Sequence, residues 1–276
     1  MTNVPAIELN NGVRIPQLGF GVFLIAPEET EAAVTTALQV GYRHVDTASA
    51  YQNEREVGAA LARSEVPRDE LFVTTKLWNA DQGYDATLAA FDASLSRLGL
   101  DHVDLYLIHW PMPSADRYVD TWRACAKIAA EGRSRAVGVS NFQIPHLQRL
   151  LDETGVVPAV NQVELHPNLV QSELRAFHAE HGIVTEAWSP LAHGALLADP
   201  FLGTVAARHG RTPAQVILRW HLQLGNVVIP KSVTPSRIAE NFDVFDFQLD
   251  AEEIAAIDAL DSGTRVGPDP DEFAVT

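Results

Sequence analysis

Val103-Asp104-Leu105-Tyr106-Leu107-Ile108-His109 is a near-continuous apolar run that ends on an imidazole. Such a run reads as a strand buried on both faces. Two earlier runs end in the same way. Arg43-His44-Val45-Asp46 closes on a carboxylate with Tyr51 just beyond, and Leu71-Phe72-Val73-Thr74-Thr75-Lys76 closes on an ammonium. In an eight-stranded α/β barrel, functional groups project from strand C-termini and the loops that follow. Three successive strand ends of that kind would aim Asp46, Tyr51, Lys76 and His109 into one mouth.

Outward from these runs the same pattern repeats. Short β-branched stretches alternate with longer amphipathic ones, the mark of successive βα units and a parallel sheet. Strands are expected around Leu18-Gly19-Phe20, His44-Val45, Phe72-Val73, Leu105-Tyr106-Leu107, Ala136-Val137-Gly138-Val139, Val160-Asn161-Gln162-Val163, Val184-Thr185-Glu186-Ala187 and Val227-Val228-Ile229. Helical stretches such as Glu28 to Val40, Asp85 to Arg97 and Thr121 to Ala130 lie between them. Eight strands with about eight helices make a (β/α)8 TIM barrel. In Ile7 to Ile15, an Asn-Gly pair between alternating residues predicts a β-hairpin that caps the bottom of the barrel. Thr212-Pro213-Ala214-Gln215 combines an N-cap, a first-turn proline and a capping-box glutamine. Asp250-Ala251-Glu252-Glu253 opens another helix, with Ile254, Ile257 and Leu260 on one face. Asp261 to Thr276, rich in Gly, Pro and Asp, predicts an irregular tail. With no linker and no low-complexity tract, residues 1–276 read as one domain.

Composition narrows the function. An apolar fraction of 46% supports a large core, and the lone Cys125 excludes an intramolecular disulfide and any paired-cysteine metal motif. The segment Met1-Thr2-Asn3-Val4-Pro5 shows no signal peptide, and no run is long enough for a membrane span, so a cytoplasmic protein is expected. A formal charge of −16 argues against nucleic acid, because phosphate binding needs basic surface. An anionic ligand therefore needs a local cationic pocket, and Lys231, Ser232, Thr234 and Arg237 form one candidate. Thr234-Pro235 should start a helix there and add backbone N–H donors.

Singly, each strand-end group has a structural reading: Asp46 as a cap, Tyr51 as packing, Lys76 as a solvated charge and His109 as a core histidine. Together they make a proton donor. A phenol has a reference pKa of about 10. A neighbouring ammonium favours its ionised form, so Lys76 is expected to lower the pKa of Tyr51, while Asp46 keeps Lys76 charged and oriented. His109 can hold a carbonyl oxygen beside the phenol. The set protonates an oxygen on which charge develops, as in carbonyl reduction. His44 two residues before Asp46 raises the alternative of a metal-dependent barrel hydrolase, but no His-x-His motif marks a strand end, and no metal site is expected.

Three separated motifs now bear on the family. Gly41-Tyr42-Arg43-His44-Val45-Asp46-Thr47-Ala48 through Tyr51-Gln52-Asn53-Glu54 is followed by Val137-Gly138-Val139-Ser140-Asn141-Phe142. Ile229-Pro230-Lys231-Ser232 with Arg237, Glu240 and Asn241 comes third. In this order, nearly end to end, the chain resembles the aldo-keto reductases. The resemblance implies that Asp46, Tyr51, Lys76 and His109 are the catalytic tetrad, with Tyr51 as general acid. It also implies NADPH-dependent reduction of aldehydes and ketones by a monomer. No Gly-x-Gly-x-x-Gly follows the first strand, so a Rossmann site is not indicated. The family instead binds NADPH extended across the barrel mouth. Ser140, Asn141 and Gln162 would then bond the carboxamide and Trp188 would stack on the ring. Ser189-Pro190-Leu191 would begin the pyrophosphate loop, with Gly21 and Val22 at the end of the first barrel strand. Lys231, Ser232, Val233, Thr234 and Arg237 would hold the 2′-phosphate, with Glu240 and Asn241 near the adenine. Phe23, Trp78 and Trp110 would wall the substrate site.

The chain also departs from familiar mammalian members. Trp188 stands where tyrosine is common, and Val22 where some members have threonine, which removes one hydroxyl contact. Only Pro111 to Asp120 separate His109-Trp110 from the next helix, which suggests an open pocket. These features resemble the bacterial branch containing 2,5-diketo-D-gluconate reductases and point to small dicarbonyls, keto-sugar acids and activated aldehydes. A non-catalytic, cofactor-bound regulatory or structural barrel is the rival reading.

Overall fold

The alternation of apolar runs and amphipathic stretches folds as the periodicities dictate. The computed structural model describes residues 4–276, so residues 1–3 of the N-terminal segment lie outside the described residues. A hairpin of β1 (Ala6–Glu8) and β2 (Arg14–Pro16) comes first. Eight parallel strands then follow in sheet order: β3 (Phe20–Gly21), β4 (His44–Asp46), β5 (Phe72–Leu77), β6 (Val103–Ile108), β7 (Ser134–Ser140), β8 (Val160–Glu164), β9 (Val184–Trp188) and β10 (Val227–Val228). The ends of this sheet meet. Leu18 pairs with Val228 in parallel, Gly19 N–H donates to the Val228 carbonyl at 2.9 Å, and Gly21 N–H donates to the Pro230 carbonyl at 3.1 Å. The barrel closes on itself and leaves no sheet edge.

Helices α1 (Pro27–Val40), α2 (Glu54–Arg63), α3 (Tyr84–Leu98), α4 (Tyr118–Ala130), α5 (Ile144–Thr154), α6 (Ser172–His181), α7 (Pro200–His209), α8 (Pro213–Gln223), α9 (Pro235–Phe242) and α10 (Ala251–Asp258) complete the chain. The expected helix starts at 212 and 250 both form capping boxes. Thr212 accepts from Gln215 N–H and Asp250 accepts from Glu253 N–H. After α10 the described chain runs on without a regular element.

Two apolar layers hold this arrangement. Between sheet and helices lie fully buried Phe91, Trp122, Phe142 and Trp220. Beneath the barrel, Leu9 and Ile15 of the hairpin pack with Phe72, Leu105, Leu107, Val160 and Val227. Leu9 N–H donates to the Val13 carbonyl and Gly12, at φ +82°, turns the chain between them. Asn10 and Asn11 then tie the hairpin to the carbonyls of Pro158 and Arg135. Burying a side chain such as Ile15 is worth about 1.5–3 kcal/mol, so the hairpin plugs the floor and leaves the opposite end for chemistry.

Register decides what reaches that end. Asp46 pairs with Thr74, Lys76 with Leu107, Ser140 with Gln162, and Gln162 with Glu186. Because side chains alternate with period two, residues paired in parallel register share a face. Gln162 and Glu186 thus stand side by side on the inner face.

Candidate active site

The three strand-end groups and the phenol meet at the mouth. Lys76 is completely buried and aims its ammonium at three acceptors. These are Asp46 Oδ1 at 2.6 Å, the Thr47 carbonyl at 3.0 Å and the Tyr51 hydroxyl oxygen at 3.3 Å. An ammonium has three N–H donors, so all are in use. Tyr51 accepts from Lys76 and keeps its own proton free for another acceptor. A short 3-10 turn, Ser49–Tyr51, carries the phenol over the barrel, anchored by Ser49 Oγ donating to the Lys76 carbonyl at 2.9 Å.

Burial changes the electrostatics expected from sequence. It raises the Tyr51 pKa above the ordinary phenol value, and the opposing pull of Lys76 does not reverse that. The expected lowering is thus corrected in direction: desolvation of the half-buried phenol outweighs the opposing pull of the ammonium. Burial alone would lower Lys76, but Asp46 and Tyr51 outweigh it and hold it above the usual lysine value. His109 is held well below the imidazole value, first by burial and then by Lys76, and is neutral at physiological pH. Its ring stands edge-on to Tyr51 with centroids 5.6 Å apart, and to Trp78 at 5.4 Å. Its Nδ1 is buried with no hydrogen-bond partner among the described residues.

The neighbouring strand ends form a second, interlocked group. Asn141 sits at φ +65°, a left-handed conformation that asparagine tolerates better than most residues. Its Nδ2 donates to the His109 carbonyl (2.9 Å) and to Ser140 Oγ (3.1 Å), while its Oδ1 accepts from Trp188 Nε1 at 2.8 Å. Both amide hydrogens of Asn141 are therefore in use within the protein. Ser140 Oγ donates to the Gln162 carbonyl. Gln162 Nε2 donates to Asp46 Oδ2 at 2.8 Å and to Glu186 Oε2 at 3.0 Å, leaving its side-chain oxygen without a protein partner among the described residues. Trp188 is half-buried, so one indole surface remains available. Ser189, at φ +46°, and half-buried Leu191 follow it in the loop.

The cationic segment lies on the rim. Lys231, Val233, Thr234 and Arg237 are exposed and Ser232 is buried at the start of α9. Neither Lys231 nor Arg237 makes an ion pair or side-chain hydrogen bond among the described residues. Two of the N–H groups at this helix start are already bonded within the protein. Thr234 N–H donates to Ser232 Oγ at 3.1 Å and Arg237 N–H to the Thr234 carbonyl at 3.0 Å. In the first turn of α9, Ser236 N–H has no acceptor among the described residues, and the two exposed side chains add positive charge beside it. Glu240 accepts from Thr212 Oγ1 and Asn241 is buried beside it in α9. Gly21 has a packing reason of its own, since a Cβ there would lie 3.1 Å from the Ile229 carbonyl oxygen. Val22 N–H donates to the Asp46 carbonyl.

Phe23 is half exposed and its ring lies 5.0 Å from that of Tyr51. Trp78 is half-buried, whereas Trp110 is 7% exposed because the tail covers it. Phe273 packs on Trp110 at a centroid distance of 4.3 Å and faces Trp78 at 6.3 Å. The short loop after Trp110 therefore leaves less open space than its length suggests. Buried Glu164, at the end of β8, anchors this tail by accepting from the Val266 and Gly267 N–H groups, with His166 on the same carboxylate at 2.9 Å. Gly267 is required there, since a Cβ would meet the Trp188 ring at 2.4 Å.

Three participants were not singled out from sequence: Glu164, Glu186 and Phe273. A charged residue inside Ile183-Val184-Thr185-Glu186-Ala187 was the available signal, because carboxylates are almost never fully buried without a reason. Phe273 is a lone aromatic in a polar tail. Its partners lie far away in sequence, so no local pattern marks it.

A closed eight-stranded barrel with this donor cluster at its C-terminal mouth defines a class: a barrel oxidoreductase built to protonate a carbonyl oxygen. Residues 17–262 match the model of the aldo/keto reductase family, and the chain belongs to that family. An aldo-keto reductase of Mycolicibacterium smegmatis is 61% identical over 272 residues, with 99% of each chain covered. Methylglyoxal reductase DkgA of Yersinia pestis is 54% identical over 275 residues, again with 99% of each covered. Among solved structures, a Gox0644 mutant in complex with NADPH superposes with a TM-score of 0.95 at 49% identity, covering 99% of both chains.

Proposed function

We propose that this chain reduces small carbonyl compounds to alcohols with NADPH as the hydride source, Tyr51 being the general acid. The supporting observation is the three-way coordination of the Lys76 ammonium, which leaves the Tyr51 proton as the donor aimed at the mouth. The residues fit the nucleotide. Trp188 offers a half-buried indole surface, and among the described residues Gln162 has an unpaired side-chain oxygen and Lys231 and Arg237 are unpaired cations on a chain of charge −16. When bound, the nicotinamide supplies hydride to the carbonyl carbon. Neutral His109 donates to the carbonyl oxygen and positions it. Tyr51 then delivers its proton as negative charge develops there, and Lys76 stabilises the resulting tyrosinate, held in place by Asp46. Phe23, Trp78, Trp110 and Phe273 exclude water and favour compact, electron-poor substrates such as dicarbonyls, keto-sugar acids and activated aldehydes. Methylglyoxal, for which several relatives are named, is of this kind.

We read residues 1–276 as one unit acting as a cytoplasmic monomer with small-molecule partners. No helix among the described residues is long and apolar enough to cross a membrane. A panel of carbonyls assayed with NADPH and NADH tests the reading: methylglyoxal and keto-sugar acids should give higher kcat/KM than steroid ketones. Highest kcat/KM on a steroid would overturn the substrate class, and absence of NADPH oxidation with every carbonyl would favour a non-catalytic barrel.

A further inference from the structure

Glu186 is fully buried on the inner face of β9 and takes no direct part in the proton transfer described above. Its Oε2 accepts from Gln162 Nε2 at 3.0 Å, and the second hydrogen of the same amide goes to Asp46 Oδ2 at 2.8 Å. The other oxygen of Glu186 has no hydrogen-bond partner among the described residues, with His44 Nε2 at 3.7 Å. A side-chain amide with one carboxyl acceptor can rotate to present either its N–H or its oxygen. With two carboxyl acceptors on different strands, β4 and β9, both N–H groups are committed and only the oxygen can face the mouth. We propose that Glu186 is a positioning residue for the nicotinamide: together with Asp46 it locks the Gln162 amide so that Oε1 accepts from the carboxamide N–H and sets the angle of the ring.

This rests on the NADPH reading given above. The same lock ties that angle to the carboxylate that orients Lys76, so cofactor register and proton donor share one residue, Gln162. The charged and titratable groups facing Glu186 are Asp46 and His44 from β4 and Lys76 from β5. Neither Lys76 nor His44 lies within hydrogen-bond distance of it, which leaves the Gln162 amide as its one polar partner among the described residues.

The test compares Glu186→Leu with Glu186→Gln by calorimetric titration of two probes, NADPH and adenosine 2′,5′-bisphosphate, which lacks the nicotinamide. The bond at stake is a single hydrogen bond, so Glu186→Leu should weaken NADPH about three- to tenfold and leave the bisphosphate unchanged. Glu186→Gln retains an oxygen acceptor and should restore NADPH binding at neutral pH. The fluorescence of bound NADPH should shift in Glu186→Leu alone. Equal weakening of both probes, or unchanged NADPH binding in Glu186→Leu, overturns the proposal. Failure of the wild-type chain to bind either probe overturns the NADPH reading itself, and a wild type that binds both separates the two outcomes.

Discussion

The floor of the mouth and its cationic rim solve opposite problems. On the floor, Asp46, Lys76, Gln162 and Glu186 are buried and bonded to one another, so their geometry is fixed before any ligand arrives. On the rim, Lys231 and Arg237 are exposed and have no partner among the described residues. Buried charges must be paired because desolvation costs several kcal/mol per ion. Exposed cations carry no such cost and can remain free for a phosphate. On the function proposed above, chemistry would draw on preorganisation, whereas nucleotide capture would draw on charge that the ligand itself orders.

The most severe way to break the floor is Tyr51→Phe. It removes the donor and leaves the rim intact, so turnover should fall by about 10²–10⁴ while NADPH affinity stays within twofold of wild type. Stopped-flow reduction with a titration of bound cofactor checks both halves, and comparable turnover would remove Tyr51 from its role. The converse break is Arg237→Ala or Lys231→Ala. A charge-assisted phosphate contact is worth about 1.5–3 kcal/mol, so NADPH should weaken by roughly ten- to more than hundredfold and NADH hardly at all. High salt should erode NADPH binding through the rim, since exposed charges are screened, without altering the turnover of bound enzyme. Equal losses for both nucleotides would make the rim structural.

Stability should also respond to pH from both sides. His44, His178 and His221 are buried, and burial pulls each down to about 3. Their folded pKa values lie below the unfolded value of about 6.5. The stability they contribute is present above that pH and is lost as pH falls toward 3. Glu186 has the opposite sign. Burial and Asp46 raise it to about 8, so its contribution is fully present below about 4.5 and declines as pH rises through 8. Thermal melts should show Glu186→Gln gaining on wild type at pH 9, by about 2–4 °C for each kcal/mol recovered, with the difference shrinking at pH 5. A constant difference across pH would deny the titration of Glu186.

The smallest effect concerns the tail. Phe273→Ala removes an aromatic contact worth about 0.5–1.5 kcal/mol, so KM for an aromatic carbonyl should rise roughly two- to tenfold with NADPH affinity unchanged. An unchanged KM would place Phe273 outside the substrate wall. Glu164→Gln should raise the same KM by loosening the anchor at Val266 and Gly267.

Much of this was legible before the structure. The runs ending at Asp46, Lys76 and His109 identified the strands, the caps at Thr212 and Asp250 located helix starts, and Ile7 to Ile15 marked the hairpin. Each is a local signal, carried by side-chain alternation or by hydrogen bonds that span three residues. The motifs also contain residues whose structural work sequence does not separate from function. Asn53 bonds the carbonyls of Val22 and Ile25, and Glu54 binds Thr75 and Arg97, so both support the loop beside Tyr51 rather than the mouth itself.

By itself, then, the sequence determined the barrel and which ends of its strands carry ionisable groups, because strand period and capping act over a few residues. Tertiary structure alone decided the Gln162 contacts and the anchoring of the tail. Gln162 meets Asp46 across 116 residues, and Glu164 meets Val266 across 102. It also decided the sign of the Tyr51 shift. The ammonium neighbour was readable from the strand ends, but the desolvation that outweighs it exists only once distant strands bring their groups around the half-buried phenol.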